Sequence, residues 1–229
     1  MPSTNRHSGR SAAVTGAGGG LGRDIALGLA AKGYVVFGTA MSVAEVQDLK
    51  DASGGRVSLT VCDMTKEESV KAWAAGVSDA LGDSGLDILI NNAGILTPGP
   101  IEVLSLDAIR REFDVNVFGA LSVINSFLPA LKKARGRIVQ ISTWTATVTP
   151  EQRELYGQNF GSFAAALNGM QSSGLDSAAA ARRVIELAEQ VPAPSRAPVG
   201  ADAEEMLRVV REKSDAEQDA LRLQLVGLS

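Results

Sequence analysis

Cysteine and histidine are almost absent: Cys62 and His7 each stand alone in 229 residues. A single thiol excludes an internal disulfide framework or a cysteine-based metal cluster. One histidine in a polar N-terminal stretch argues against a histidine metal site or a Ser-His triad, so no metal is expected. Positive charge is in deficit, with 22 Lys and Arg against 26 Asp and Glu and a net charge of −4. That leaves no basic footprint of the kind nucleic acid selects. No apolar run reaches the roughly 18 residues of a membrane span, and the opening MPSTNRHSGRS lacks the apolar stretch of a secretory signal. The expectation is a soluble, cytoplasmic protein with neither nucleic-acid nor membrane partners. Lysine is missing between Lys133 and Lys213, and tyrosine occurs only at Tyr34 and Tyr156.

Hydrophobic residues make up 45% of the chain and charged residues 21%, a globular balance with enough length for one large domain. Short apolar runs at Ser11–Thr15, Tyr34–Gly38, Val57–Val61, Leu86–Ile90 and Arg137–Ser142 read as strands covered on both faces. Helical patterns near Leu21–Ala31, Val43–Lys50, Glu67–Leu81 and Leu106–Lys133 alternate with them, which predicts a parallel sheet with crossover helices. Thr65 and Glu68 have the spacing of a capping box. After Ser142 the alternation stops. Thr149, Pro150 and Gln152 read as N-cap, N1 and N3 of a helix carrying Leu155, Tyr156, Phe160, Phe163, Leu167 and Met170 on one stripe. A second helix is expected over Asp176–Gln190 with Val184, Ile185 and Leu187 inward. Residues 195–200 suit an edge strand, and Ser214 with Glu217 a further capping box. The whole is read as one domain, 1–229, divided into an α/β part over 11–143 and a mainly helical part over 149–229.

Thr15-Gly16-Ala17-Gly18-Gly19-Gly20-Leu21-Gly22 follows a strand and opens a helix, the context a dinucleotide-binding turn needs. Glycine permits the tight turn and close backbone approach, leaving amides at a helix N-terminus for a pyrophosphate. The plain alternative is an ordinary glycine-rich loop. Asn91-Asn92-Ala93-Gly94 ends the fourth strand, Asp63-Met64 closes the third, Asn116 lies in an apolar helix, and Ser142-Thr143 end the fifth strand. Each has a structural alternative: a turn formed by Asn92 and Gly94, a loop carboxylate at Asp63, a buried amide at Asn116 needing partners, and plain strand-end hydroxyls.

Taken in chain order over residues 11–143, the five elements resemble the short-chain dehydrogenase/reductase family. The resemblance implies a Rossmann-type doubly wound parallel sheet with a helical C-terminal substrate cap. It also implies hydride transfer between NAD or NADP and an alcohol or carbonyl substrate, and a homo-oligomer. It assigns cofactor contacts to Thr15, Gly16, Gly20, Leu21, Gly22, Asp63, Met64, Asn92, Ala93 and Gly94, and catalytic positions to Asn116, Ser142 and Thr143. The stretch after the second strand, Phe37-Gly38-Thr39-Ala40-Met41-Ser42, has no acid for a ribose 2′-hydroxyl, which tilts the expectation toward NADP. No arginine stands there to hold a phosphate.

The family's Tyr-x-x-x-Lys pair does not follow. Tyrosine ordinarily titrates near 10 and needs a neighbouring cation to exchange protons near neutrality. Tyr156 has Phe160 at its i+4 position, and aligning Phe160 with the tyrosine sets Ala164 where the lysine belongs. A third alignment treats 150–170 as the cap and leaves a block absent near Thr143–Thr149: the tyrosine loop, its helix and a sixth strand. With that block gone, the acid–base contribution and ribose positioning are lost. The remaining readings are an oxidoreductase, a non-catalytic dinucleotide-binding protein (a sensor or partner subunit), or a structural protein of this fold.

Overall fold

A computed structural model describes residues 9–97, 104–142, 175–214, 216–218 and 220. Five parallel strands form one sheet: β1 Ser11–Val14, β2 Val35–Ala40, β3 Val57–Val61, β4 Ile88–Asn91 and β5 Arg137–Gln140. Their order is β3-β2-β1-β4-β5: the alternating pattern gave the expectation of a parallel sheet, and the family resemblance that of this doubly wound, Rossmann-like order. Helices α1 Gly20–Ala31, α2 Val43–Ala52 and α3 Glu67–Leu81 make the crossovers. The chain then runs through α4 Leu106–Phe113, a π-helical segment Asp114–Gly119 and α5 Ala120–Ala134, and later α6 Ser177–Glu189 and α7 Ala201–Glu212. The residues group into two compact units, one of 1–95, 111–142 and 177–194, the other of 96–110, 143–176 and 195–229. The first holds the sheet. In the second, Arg208 of α7 bonds Glu205 and Glu212 on its own face.

Pleating sorts the strand residues between two faces. Ala13, Phe37 and Leu89 lie in one register row and pack with Val70, Trp73 and Val77 of α3 and Val123, Phe127 and Leu131 of α5. Trp73 and Phe127 meet edge to face, their centroids 4.8 Å apart. The neighbouring register row, Ala12, Val36 and Ile88, is buried too, and α1 packs on α6, whose Ala181, Val184, Ile185 and Ala188 turn inward. Leu187 is only half-buried.

Several expectations need correction. β1, β2 and β4 are buried along nearly their whole length, but β3 and β5 are half-exposed edges of this sheet. Their exposed side chains include Val61 at 47% and Ile138 at 40%. Tyr34 precedes β2 rather than lying on it, and Ser142 lies beyond the end of β5. The Thr65–Glu68 capping box does not form. Lys66 is the N-cap of α3 and no side chain caps it, because the Thr65 hydroxyl donates instead to the Asp63 carboxylate at 2.7 Å. At the other predicted box, Glu217 accepts the Ser214 N–H at 2.9 Å. Residues 195–200 form no strand. The helix over 106–133 is interrupted by the π-helical segment. Its run Leu106–Ala134 is long and apolar enough to cross a membrane by length and composition, although Val123, Phe127, Ala130 and Leu131 of it belong to the core. The expected cap helix over 149–170, with Tyr156 and Phe160, lies outside the described residues.

Two clasps fix the end of α6. Arg137 of β5 donates to the carbonyls of Leu187, Ala188 and Gln190, a cation on the negative end of a helix. Glu189 accepts from Arg10 at 2.8 Å, Lys32 at 2.5 Å and the Tyr34 hydroxyl at 3.0 Å, while the Arg10 guanidinium stacks 4.3 Å over the Tyr34 ring. The Lys32 hydrogen bond, ahead of other causes, holds the Glu189 carboxyl below its usual range. Burial and the bond to Glu189 push the Tyr34 phenol up to about 12. Ionised Tyr34 would be a second negative charge against Glu189. Because the folded value exceeds the unfolded one near 10, this stability is fully present below about pH 10 and is lost as pH rises toward 12. Denaturant titrations should show the wild type losing on the order of 2 kcal/mol over that window. Tyr34→Phe should lose clearly less, and equal losses would refute the role given to Tyr34.

Candidate functional site

The strand order reverses between β1 and β4, and in sheets of this kind ligands bind at the carboxyl ends of the strands beside such a reversal. The glycine turn stands at the tip of β1 and is pinned from both sides. Thr39 of β2 accepts the Gly16 N–H on its hydroxyl at 2.9 Å and the Ala17 N–H on its carbonyl at 2.8 Å. From the β4 side, the buried Thr15 hydroxyl accepts the N–H groups of Asn92 and Ala93, both at 2.9 Å. The Asn92 amide donates back to the Thr15 carbonyl at 3.1 Å and the Gly16 carbonyl at 3.4 Å. Asn92 therefore spends its side chain on the shape of the turn. Asn91 beside it is buried, with neither amide atom paired.

The turn fits a pyrophosphate. Gly16 and Gly20 have φ of +65° and +51°, the left-handed region that favours glycine. A Cβ on Gly22 would come within 2.2 Å of the Gly16 carbonyl oxygen and 2.5 Å of the Asn92 amide nitrogen. On the outer side, at Gly19 and Gly20, a Cβ would meet nothing within 4 Å. Gly19 is the N-cap of α1, no side chain caps it and no acid stands in the first turn. The leading amides of α1 thus open onto space suited to an anion. Leu21 is half-buried beside them.

Asp63 is exposed after β3. Its carboxylate accepts from the Thr65 N–H at 3.0 Å and hydroxyl at 2.7 Å, and pairs with Lys66 at 3.4 Å. The Thr65 hydroxyl bond leads in holding its carboxyl below the usual range, so it is an ionised acceptor at neutral pH. Met64 next to it is buried. Asn116 is not the buried amide expected; it lies exposed in the π-helical segment. It forms a reciprocal pair with Ile95, donating to the carbonyl at 2.7 Å and accepting the N–H at 2.8 Å. A Cβ on Gly94 would lie 3.3 Å from its Oδ1, so the loop after β4 and this turn of helix are joined. Isolated π-helical turns recur at functional sites. Ser142 is exposed just past β5, and Thr143 lies outside the described residues. Thr39 anchors the turn although the sequence marks it only by a hydroxyl near the end of an otherwise apolar strand. Among the described residues, no three His, Cys, Asp or Glu side chains are grouped to hold a metal.

The chain is 37% identical over 131 residues to human short-chain dehydrogenase/reductase family 9C member 7, covering 57% of this chain and 42% of that one. It is 32% identical over 157 residues to the mitochondrial D-beta-hydroxybutyrate dehydrogenase of Rattus norvegicus, covering 65% and 45%. The chain therefore spans less than half the length of these relatives. A crystal structure of a short-chain dehydrogenase from Streptomyces avermitilis superposes with a TM-score of 0.75 over 96% of each chain at 22% identity, a likeness of fold. The sequence pattern of the short chain dehydrogenase family matches residues 10–184, from the strand before the glycine turn into α6. With more than half of its length matched, the chain belongs to the short-chain dehydrogenase family.

Proposed function

We propose that this chain is an NAD(P)-dependent oxidoreductase of the short-chain type, acting on the hydroxyl or carbonyl carbon of a small molecule. One observation carries the reading. The uncapped start of α1 faces open space at Gly19 and Gly20, directly after a turn held rigid by Thr39 and Asn92. Backbone N–H groups there hold the pyrophosphate. The Asp63 carboxylate accepts from the adenine amino group, and the Ser142 hydroxyl donates to the substrate oxygen. Asn116, bound to Ile95 on both sides of its amide, keeps the helix and the loop after β4 in register. A nicotinamide bound here supplies or takes up the hydride. The accompanying proton has no Tyr-x-x-x-Lys pair to pass through and exchanges with water, which lowers the rate by roughly 10²–10⁴. A hydroxyl-bearing substrate is consistent with the relative named for D-beta-hydroxybutyrate.

A second reading, a non-catalytic dinucleotide-binding protein, is favoured by the absence of lysine between Lys133 and Lys213. Fluorescence titration of the full chain with NADH and NADPH, followed by turnover on a panel of alcohols and carbonyls, separates the two. Binding with slow turnover supports the first reading, and binding with none supports the second. Binding of neither coenzyme sinks both, and turnover at ordinary dehydrogenase rates refutes the loss of the acid–base pair.

A further inference from the structure

β2 ends Gly38-Thr39-Ala40 and is followed by Met41, so the strand supplies no acid to a coenzyme ribose. One arrives from the next helix. Ser42 is the N-cap of α2 and its hydroxyl accepts the Glu45 N–H at 3.4 Å. In an ordinary capping box the glutamate reaches back to the N-cap amide. Here it overshoots by one residue, and the Glu45 carboxylate accepts the Met41 N–H at 2.9 Å. The overshoot brings Oε2 against the glycine turn, where a Cβ built on Gly18 would lie 2.2 Å from it. A carboxylate has about four acceptor sites, and this half-buried one uses a single site within the protein. Arg23, in the first turn of α1, is bound to Asp48 of α2 at 2.8 Å, so that pair offers no free cation. Glu45 also lies about 20 residues beyond the turn, the separation at which dinucleotide folds place their ribose acid.

We propose that Glu45 selects the coenzyme: its carboxylate accepts the adenosine ribose hydroxyls of NAD and repels the 2′-phosphate of NADP. The proposal rests on the dinucleotide-binding reading above and reverses the preference expected from the strand alone. Two negative groups within a few ångströms at a partly exposed site differ in affinity by about tenfold or more.

The test titrates the full chain and its Glu45→Gln variant with NADH and NADPH, read by nicotinamide fluorescence. Glutamine retains an acceptor for the Met41 N–H, so α2 stays anchored; a thermal melt checks this. The wild type should bind NADH at least about tenfold more tightly than NADPH, and added salt should narrow the gap. Glu45→Gln should bring the two within about threefold, chiefly by strengthening NADPH. Should that variant melt early, Met41→Arg at an exposed position sets a cation beside Glu45 and should raise NADPH affinity about tenfold. A wild type that prefers NADPH, or an unchanged ratio in the folded variants, overturns the assignment of Glu45. Binding of neither coenzyme overturns instead the reading on which it rests.

Discussion

Gly22→Ala should cost the protein both its coenzyme and part of its stability. The added methyl would sit 2.2 Å from the Gly16 carbonyl oxygen and 2.5 Å from the Asn92 amide, so backbone must move rather than a flexible side-chain end. Overpacking of this kind costs roughly 1–3 kcal/mol. The movement also strains the Asn92 bonds to Thr15 and Gly16 that fix the turn. If two turn amides lose their aim at a phosphate, the expected fall in dinucleotide affinity is about a hundredfold or more. Gly19→Ala is the control. It has open space around it and an extended φ of −154°, so it should cost no more than about 1 kcal/mol as an N-cap change. Equal effects from the two substitutions, in melts and in NADH titrations, would mean that close packing at Gly22 does not shape the site.

Phe127→Ala should be the more severe lesion to the fold. Phe127 is fully buried, and its ring meets Trp73 edge to face across the α3–α5 contact. The Trp73 indole N–H is buried without a partner, so that ring is held by packing rather than by a hydrogen bond. Truncating a buried Phe costs about 3–5 kcal/mol, of which the aromatic pair supplies roughly 0.5–1.5. For a chain of this length that lowers Tm by about 6–20 °C. Phe127→Leu keeps most of the volume and should cost less than about 1.5 kcal/mol. A Phe127→Ala loss below about 1 kcal/mol would show that the layer of α3 and α5 is not where the stability lies.

The sequence was most legible where one physical signal dominated. The helix over Glu67–Leu81 and the strand over Val57–Val61 were read with the bounds they have, because apolar periodicity and turn residues agreed there. The glycine turn was legible for the same reason, its spacing and its strand–helix context being both local. What escaped was tertiary. Asn116 looked like a buried amide in an apolar helix; it is an exposed one, because the Ile95 backbone, far off in sequence, takes both ends of its side chain. The π-helical turn it sits in leaves the apolar spacing on either side nearly intact, so periodicity carries no trace of it. Thr65 has the spacing of a cap because Glu68 follows at the right distance, yet the Asp63 carboxylate two residues earlier is the stronger acceptor. Ser42 and Glu45 carry the same four-residue spacing in plain view. The overshoot to Met41 is what turns that cap into a neighbour of Gly18, and it can be read only in three dimensions.

Arg137 and Glu189 have a consequence for how this fold can change length. Together they nail the C-terminal end of α6 to β5 on one side and to the starts of β1 and β2 on the other. The chain's return to the sheet is thus set where it arrives and does not depend on the route taken from β5. Closing a longer or shorter connection costs only about 0.6 kcal/mol for each doubling, little against a clasp of several charged hydrogen bonds. A change in the length of the chain between residues 142 and 175 therefore adds little closure cost to the unit that holds the sheet.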